Sequence, residues 1–236
     1  MYRVQKVLSL LGVLSRRECE KKIMLGLVKI NNQIAKLGSI VSLGDKILYD
    51  NTEYAITEEL LDIKSKVLIY HKPINEIVSR HDPQQRHSVF DMLPEVNGRW
   101  ISIGRLDYKT SGLLLFTNNG DIANRMMHPS SNILRTYEVS IQGNLDSKKI
   151  ELALKGIDIG NSEIGKLLKI IPDNYIHNKF IIKLNTGKNR EVRRIFSALD
   201  CKVISLKRIS YGNIHLGKIK TKCYKYIEPE SIQDLI

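Results

Sequence analysis

The stretch Gly104-Arg105-Leu106-Asp107-Tyr108-Lys109-Thr110-Ser111-Gly112 sets one carboxylate between an arginine and a Thr-Ser-Gly turn, and the apolar run Leu113-Leu114-Leu115-Phe116 follows at once. A charged oxygen on a loop, with a buried strand behind to hold the loop still, is what a nucleophile or a general base requires. A metal is not expected to assist it. The six histidines (71, 81, 87, 128, 177 and 215) show no ligand spacing, and Cys19, Cys201 and Cys223 are odd in number and far apart. That pattern supports neither a metal site nor a disulfide framework, and it fits a reducing, cytoplasmic compartment.

The charge distribution suggests what Asp107 would act on. The net charge of +12 divides into +5 for residues 1–50, −1 for 51–176, +11 for 177–225 and −3 for the tail. Two basic blocks around a nearly neutral middle are expected where both ends grip a polyanion and the middle supplies core and pocket. No run approaches the ~18 apolar residues of a membrane span, so no membrane partner is expected.

The second basic block contains a patterned helix. From Asn189 to Leu199, Val192, Ile195, Phe196 and Leu199 make one apolar face, while Arg190, Arg193 and Arg194 stand on the polar side after Thr186-Gly187-Lys188. One face is core and the other points guanidinium groups at phosphates or at a buried carboxylate.

Residues 1–50 read as a small α+β module. Val4, Val7, Leu8 and Leu11 form a helical stripe that Gly12 ends. Ser15-Arg16-Arg17-Glu18 is a capping box for a second helix running to about Leu25, with Gly26 as its stop. Strands at 28–32 and 46–49 follow, joined through Gly38 and the Leu43-Gly44-Asp45 turn. This order of events resembles the S4 RNA-binding module. In that reading Lys6, Arg16, Arg17, Lys21 and Lys22 face RNA, and Lys188, Arg190 and Arg194 do so from the second basic block.

Residues 51–65 are polar and acidic without a clear period and read as a linker, leaving 66–236 as a larger second domain. That domain opens with strand 67–70 and a His71-Lys72-Pro73 break. A mobile loop over 80–87, a short helix at 88–93 and a strand at 100–103 lead to the Asp107 motif. Behind it come a helix from Gly120 ending at His128-Pro129, and the alternating strand 135–141 with Tyr137, Val139 and Ile141 on one face. A helix at 147–154, strands through 171, a strand at 179–184 and further strands after 203 complete an α+β reading.

Three segments together carry a resemblance: Gly104-Arg105-Leu106-Asp107 with Thr110-Ser111-Gly112-Leu113-Leu114-Leu115, Arg135-Thr136-Tyr137-Glu138-Val139, and Gly187-Lys188-Asn189-Arg190-Glu191-Val192-Arg193-Arg194. Nearly end to end, the chain resembles the bacterial ribosomal RNA pseudouridine synthases with an N-terminal S4 domain. The wording of the third segment is most similar to members that act on 23S rRNA, with 16S members next. The resemblance implies a catalytic domain with a central mixed, mostly antiparallel sheet flanked by helices, no cofactor, and a monomer acting on rRNA or a pre-ribosomal particle. It implies isomerisation of a flipped-out uridine: Asp107 acts on the sugar, Arg105 fills the gap left in the RNA, Tyr137 stacks on the uracil and Arg193 partners Asp107. A non-catalytic RNA-binding assembly factor on the same fold is the reading of a different class.

Overall fold

A computed structural model of the chain describes residues 1–235, with the side chains of 60, 61 and 233–235 left aside. Two compact units divide it: residues 1–66 with 94–101 and 117–120, and residues 67–93 with 102–116 and 121–236.

The first unit holds β1 (Tyr2–Arg3), α1 (Val4–Leu10), α2 (Arg16–Met24), β2 (Val28–Ile30), β3 (Gln33–Ile34), β4 (Ile40–Val41), β5 (Lys46–Tyr49), β6 (Thr52–Ala55) and α3 (Glu58–Leu61). The expected capping box starts α2: the Glu18 amide donates to the Ser15 hydroxyl at 3.2 Å and the Ser15 amide to the Glu18 carboxylate at 2.8 Å. Val4, Val7 and Leu8 of α1 pack with Cys19, Ile23, Val28 and Ile47 into one core. The polar 51–65 segment differs from the linker reading, because β6 pairs antiparallel with β5 and extends that sheet to four strands, ordered β3-β2-β5-β6. Segment 94–101 belongs to this unit through a glycine pair: a Cβ on Gly12 would lie 2.6 Å from the Gly98 carbonyl oxygen, and one on Gly98 would lie 2.4 Å from that of Leu10.

The second unit is built on a nine-stranded sheet. Its strands are β7 (Val67–Lys72), β8 (Ile101–Ile103) and β9 (Ser111–Thr117), then after α4 (Gly120–Met127) β10 (Arg135–Gln142). Next come α5 (Ser147–Lys155), a small hairpin β11 (Ile157–Asp158) and β12 (Ile164–Gly165), β13 (Lys169–Pro172), β14 (Lys179–Leu184) and α6 (Glu191–Ala198). The chain closes with β15 (Lys202–Tyr211), β16 (Ile214–His215) and β17 (Tyr224–Ile227). The order is β13-β14-β10-β15-β9-β7-β17, with β16 on β15 and β8 on β9. The sheet is mixed, as expected: β15 runs parallel to β9, while β10 pairs antiparallel with both β14 and β15. α4 ends at Met127 ahead of His128-Pro129 as its sequence predicts. No helix among the described residues is long and apolar enough to cross a membrane.

Candidate active site

β9 is buried from Gly112 to Thr117, so the loop that precedes it starts from a fixed strand. The loop backbone is held carbonyl by carbonyl. Lys72, wholly buried at the end of β7, donates from Nζ to the carbonyls of Asp107 at 3.2 Å, Thr110 at 2.9 Å and Pro73 at 2.8 Å. The Thr110 amide also closes on the Asp107 carbonyl at 2.9 Å, and the Asn75 amide donates to that of Tyr108 at 2.7 Å. Arg193 Nη2 takes the remaining one, Lys109, at 2.8 Å. Four consecutive carbonyls, 107 to 110, therefore each have a donor. The Asp107 carboxylate, half-buried, makes no hydrogen bond or ion pair among the described residues. A rigid loop with an uncommitted oxygen is an arrangement suited to attack or proton abstraction.

Arg193 sits on α6 with Nη1 on the Val203 carbonyl at 3.2 Å and a buried Nε without a partner. Burial lowers its pKa most, the neighbouring Arg190 charge lowers it further, and the Asp107 carboxylate opposes both. Arg193 thus grips the loop backbone at Lys109 and feels the Asp107 charge through space, and the two side chains form no contact ion pair. The same environment depresses Lys72: burial brings its amine down to about 8, against the pull of the Glu76 and Asp107 carboxylates.

Tyr137 reaches the same part of the sheet through register. It pairs with Arg208 of β15, and Arg208 pairs with Gly112 of β9, five residues past Asp107. Gly112 must be glycine. Its φ is +106°, and a Cβ would lie 2.2 Å from the Arg208 carbonyl oxygen. The buried Arg208 side chain donates to the Leu113 carbonyl at 2.8 Å and lies over the Tyr211 ring at 5.2 Å, with Nη2 unpartnered. Arg105 is exposed, beside the loop and without a partner among the described residues.

The third motif is explained by its cap. Buried Glu191 accepts from the Thr186 hydroxyl at 2.6 Å and from the Lys188 amide at 3.0 Å, which fixes the turn into α6. Arg190, expected within the helix, is instead its N-cap in the left-handed conformation, φ 49°, and its side chain is exposed. Two expected RNA contacts are committed to the chain itself. Arg194 binds the Glu163 carboxylate and the Ile159 and Gly160 carbonyls, and Lys188 Nζ binds the Ile164 carbonyl, so both brace the β11–β12 hairpin. In the first unit Arg17 and Lys21 are exposed on one side of α2 with no ion pair among the described residues, and Lys22 is half-buried. Arg16 and Lys6 each keep an interaction within the chain.

Sequence reading missed Lys72, Glu191 and Arg208. The sequence reading ends the strand at Tyr70 and takes His71-Lys72-Pro73 as a break, whereas β7 runs to Lys72 and is buried at all six positions, so that the Lys72 charge must find partners at the strand's end. Among the described residues no group of three or more His, Cys, Asp or Glu could hold a metal.

Comparison with known proteins places these features in a family. Residues 66–198 match the RNA pseudouridylate synthase family and residues 3–47 match the S4 domain. The ribosomal large subunit pseudouridine synthase B of Vibrio vulnificus (strain CMCP6) is 39% identical over 219 residues, covering 92% of this chain and 68% of that protein. Its namesake from Escherichia coli O6:H1 is 41% identical over 220 residues, covering 92% and 75%. A crystal structure of a pseudouridylate synthase shares the fold over the whole of both chains, with a TM-score of 0.70 at 24% identity. The chain belongs to the RNA pseudouridylate synthase family, as a member with an N-terminal S4 domain and the isomerase activity that defines the family.

Proposed function

We propose that this protein isomerises a uridine of 23S ribosomal RNA to pseudouridine, with Asp107 as the reacting carboxylate. The observation that carries the residue assignment is the loop in which every backbone carbonyl from 107 to 110 is held while the Asp107 carboxylate is left uncommitted. The choice of large-subunit RNA follows the names of the two relatives.

The target base leaves its helix at an unpairing cost of a few kcal/mol. Arg105, exposed next to the loop, offers a flat guanidinium to the vacated stack. Asp107 either adds to C1′ or removes a sugar proton, and the N1–C1′ bond breaks. The uracil turns against the Tyr137 ring and C5 joins C1′, displacing the Asp107 carboxylate on the first route, or as Asp107 returns the proton to the sugar on the second. C5 then gives up its proton while N1 gains one, so the product is an isomer of the substrate and no co-reactant enters. The Arg193 and Arg190 guanidinium groups attract the nearby phosphates. The Arg17, Lys21 and Lys22 cluster on α2 supplies further phosphate contacts from the S4 unit.

The test is to incubate the protein separately with 23S and 16S transcripts, digest each RNA to nucleosides and quantify pseudouridine by chromatography. Stoichiometric product on 23S is expected. Product on 16S alone would move the substrate, and product on neither would overturn the isomerase reading in favour of a binding protein.

A further inference from the structure

Between Cys201 and Ile227 the chain carries seven lysines and arginines and no aspartate or glutamate. Four of them, Lys218, Lys220, Lys222 and Lys225, are exposed and form no ion pair or side-chain hydrogen bond among the described residues. Two of the four, Lys218 and Lys225, line a groove of about 560 Å³ whose apolar wall includes Ile69, Ile214, Leu216 and Ile227.

The groove is a built feature of the second unit. β17 lies antiparallel to β7 with Lys225 opposite Ile69 and Ile227 opposite Val67. The β15–β16 hairpin turns at Gly212-Asn213, and the Leu216 amide returns to the Ile209 carbonyl at 2.9 Å. Buried His71 then ties the far wall down, its Nδ1 donating to the Ile219 carbonyl at 2.7 Å. On the other side of β17, Tyr224 and Tyr226 alternate with Lys225, 40% and 43% exposed, with ring centroids 5.8 Å apart.

An apolar wall within a cationic rim matches an unpaired nucleotide, whose flat base seeks apolar or aromatic surface while its phosphate seeks lysine. A paired base already has both faces stacked and gains little there. Edge-strand lysines also discourage sheet-to-sheet association, but Lys218, Lys220 and Lys222 lie outside the strands. The groove also shares a strand with the active-site loop. Ile69 precedes Lys72 by three residues, a separation of about 10 Å along β7 at the usual rise.

We infer that this groove, with Lys218 and Lys225 at its rim and Ile69, Ile214, Leu216 and Ile227 on its wall, takes an unpaired nucleotide of the substrate RNA other than the target uridine. The inference rests on the RNA-isomerase reading for the nature of its ligand.

The full-length K218A/K225A variant is compared with wild type by filter binding to a 23S stem-loop transcript across a salt series, beside a fully paired duplex of the same length. K148A/K169A, two exposed lysines on α5 and β13, serves as the charge-matched control. The expected loss is roughly tenfold in affinity for the stem-loop, with the slope of log K against log[salt] reduced by about 1.4, two single-strand phosphates at ~0.7 each. The duplex and the control variant are expected to show neither change. Unchanged affinity and slope in a folded K218A/K225A overturn the inference even if the wild type isomerises RNA. An equal loss on the duplex overturns the base-binding part. A wild type that converts no uridine, while K218A/K225A still loses stem-loop affinity, overturns the isomerase reading and leaves the groove in place.

Discussion

The Lys72 ammonium lies 3.2 Å from the backbone carbonyl of Asp107 and forms no ion pair with that residue's carboxylate. A buried cation holds the loop from behind, while the carboxylate oxygens stay available.

Replacing Lys72 with Met keeps the length of the side chain and removes three donors. The carbonyls of Pro73, Asp107 and Thr110 lose this partner, and unsatisfied buried groups cost about 1–3 kcal/mol. In a chain of this size, thermal unfolding is expected to shift down by roughly 2–4 °C per kcal/mol. Single-turnover isomerisation should fall much further than RNA affinity. Equal loss of both would contradict a loop-positioning role.

The same lysine predicts a pH dependence. Its folded-state pKa is about 8 against an ordinary 10.5. Between those values the unfolded chain keeps the proton that the folded chain has released, so this group's contribution to stability rises with pH across the window. Activity moves the other way, because the ammonium gives up one donor and its charge beside Asp107. A rate profile is expected to decline with a midpoint near 8, the lowered value of Lys72. A profile flat to pH 9 would remove Lys72 from the account.

Gly112→Ala tests the sheet junction behind the loop. The new Cβ would sit 2.2 Å from the Arg208 carbonyl oxygen, on a backbone with φ +106°. Backbone must shift, and the expected cost is about 2–4 kcal/mol in a urea melt. A variant as stable as wild type would show that the β9–β15 pairing is loose there.

Arg190 and Arg194 should separate cleanly. Arg190→Ala removes an exposed cation and is expected to lower RNA affinity and the salt slope by about 0.7–0.9, with the melting temperature unchanged. Arg194→Ala breaks the tie to Glu163, Ile159 and Gly160 and is expected to cost about 1–3 kcal/mol of stability with little effect on the slope. The reverse pattern in these two measurements would restore Arg194 as an RNA contact.

What the sequence made legible follows from the range of the forces involved. The α2 capping box, the stop of α4 at His128-Pro129 and the alternating strand carrying Tyr137 are decided within a few residues, and each was readable. The grip on the Asp107 loop was not, because it depends on Lys72 from 35 residues upstream and on Arg193 reaching Lys109 from 84 residues away. The intrachain ties of Arg194 were hidden for a related reason. Helical spacing places it on the polar face, and only the fold shows the Glu163 hairpin waiting there. The 51–65 segment has the polarity of a linker, yet β5 offers an edge and Thr52–Ala55 pairs with it.

Tritium release from C5-labelled uridine in a 23S transcript, measured under single turnover for wild type and Asp107→Asn, tests the role of Asp107 most directly. The Asp107 side chain makes no hydrogen bond or ion pair among the described residues, so the variant is expected to melt within about 0.5 kcal/mol of wild type. It should still bind the RNA, while release falls roughly a thousandfold or more. Release from the folded variant at the wild-type rate would contradict the assignment of Asp107 as the reacting carboxylate.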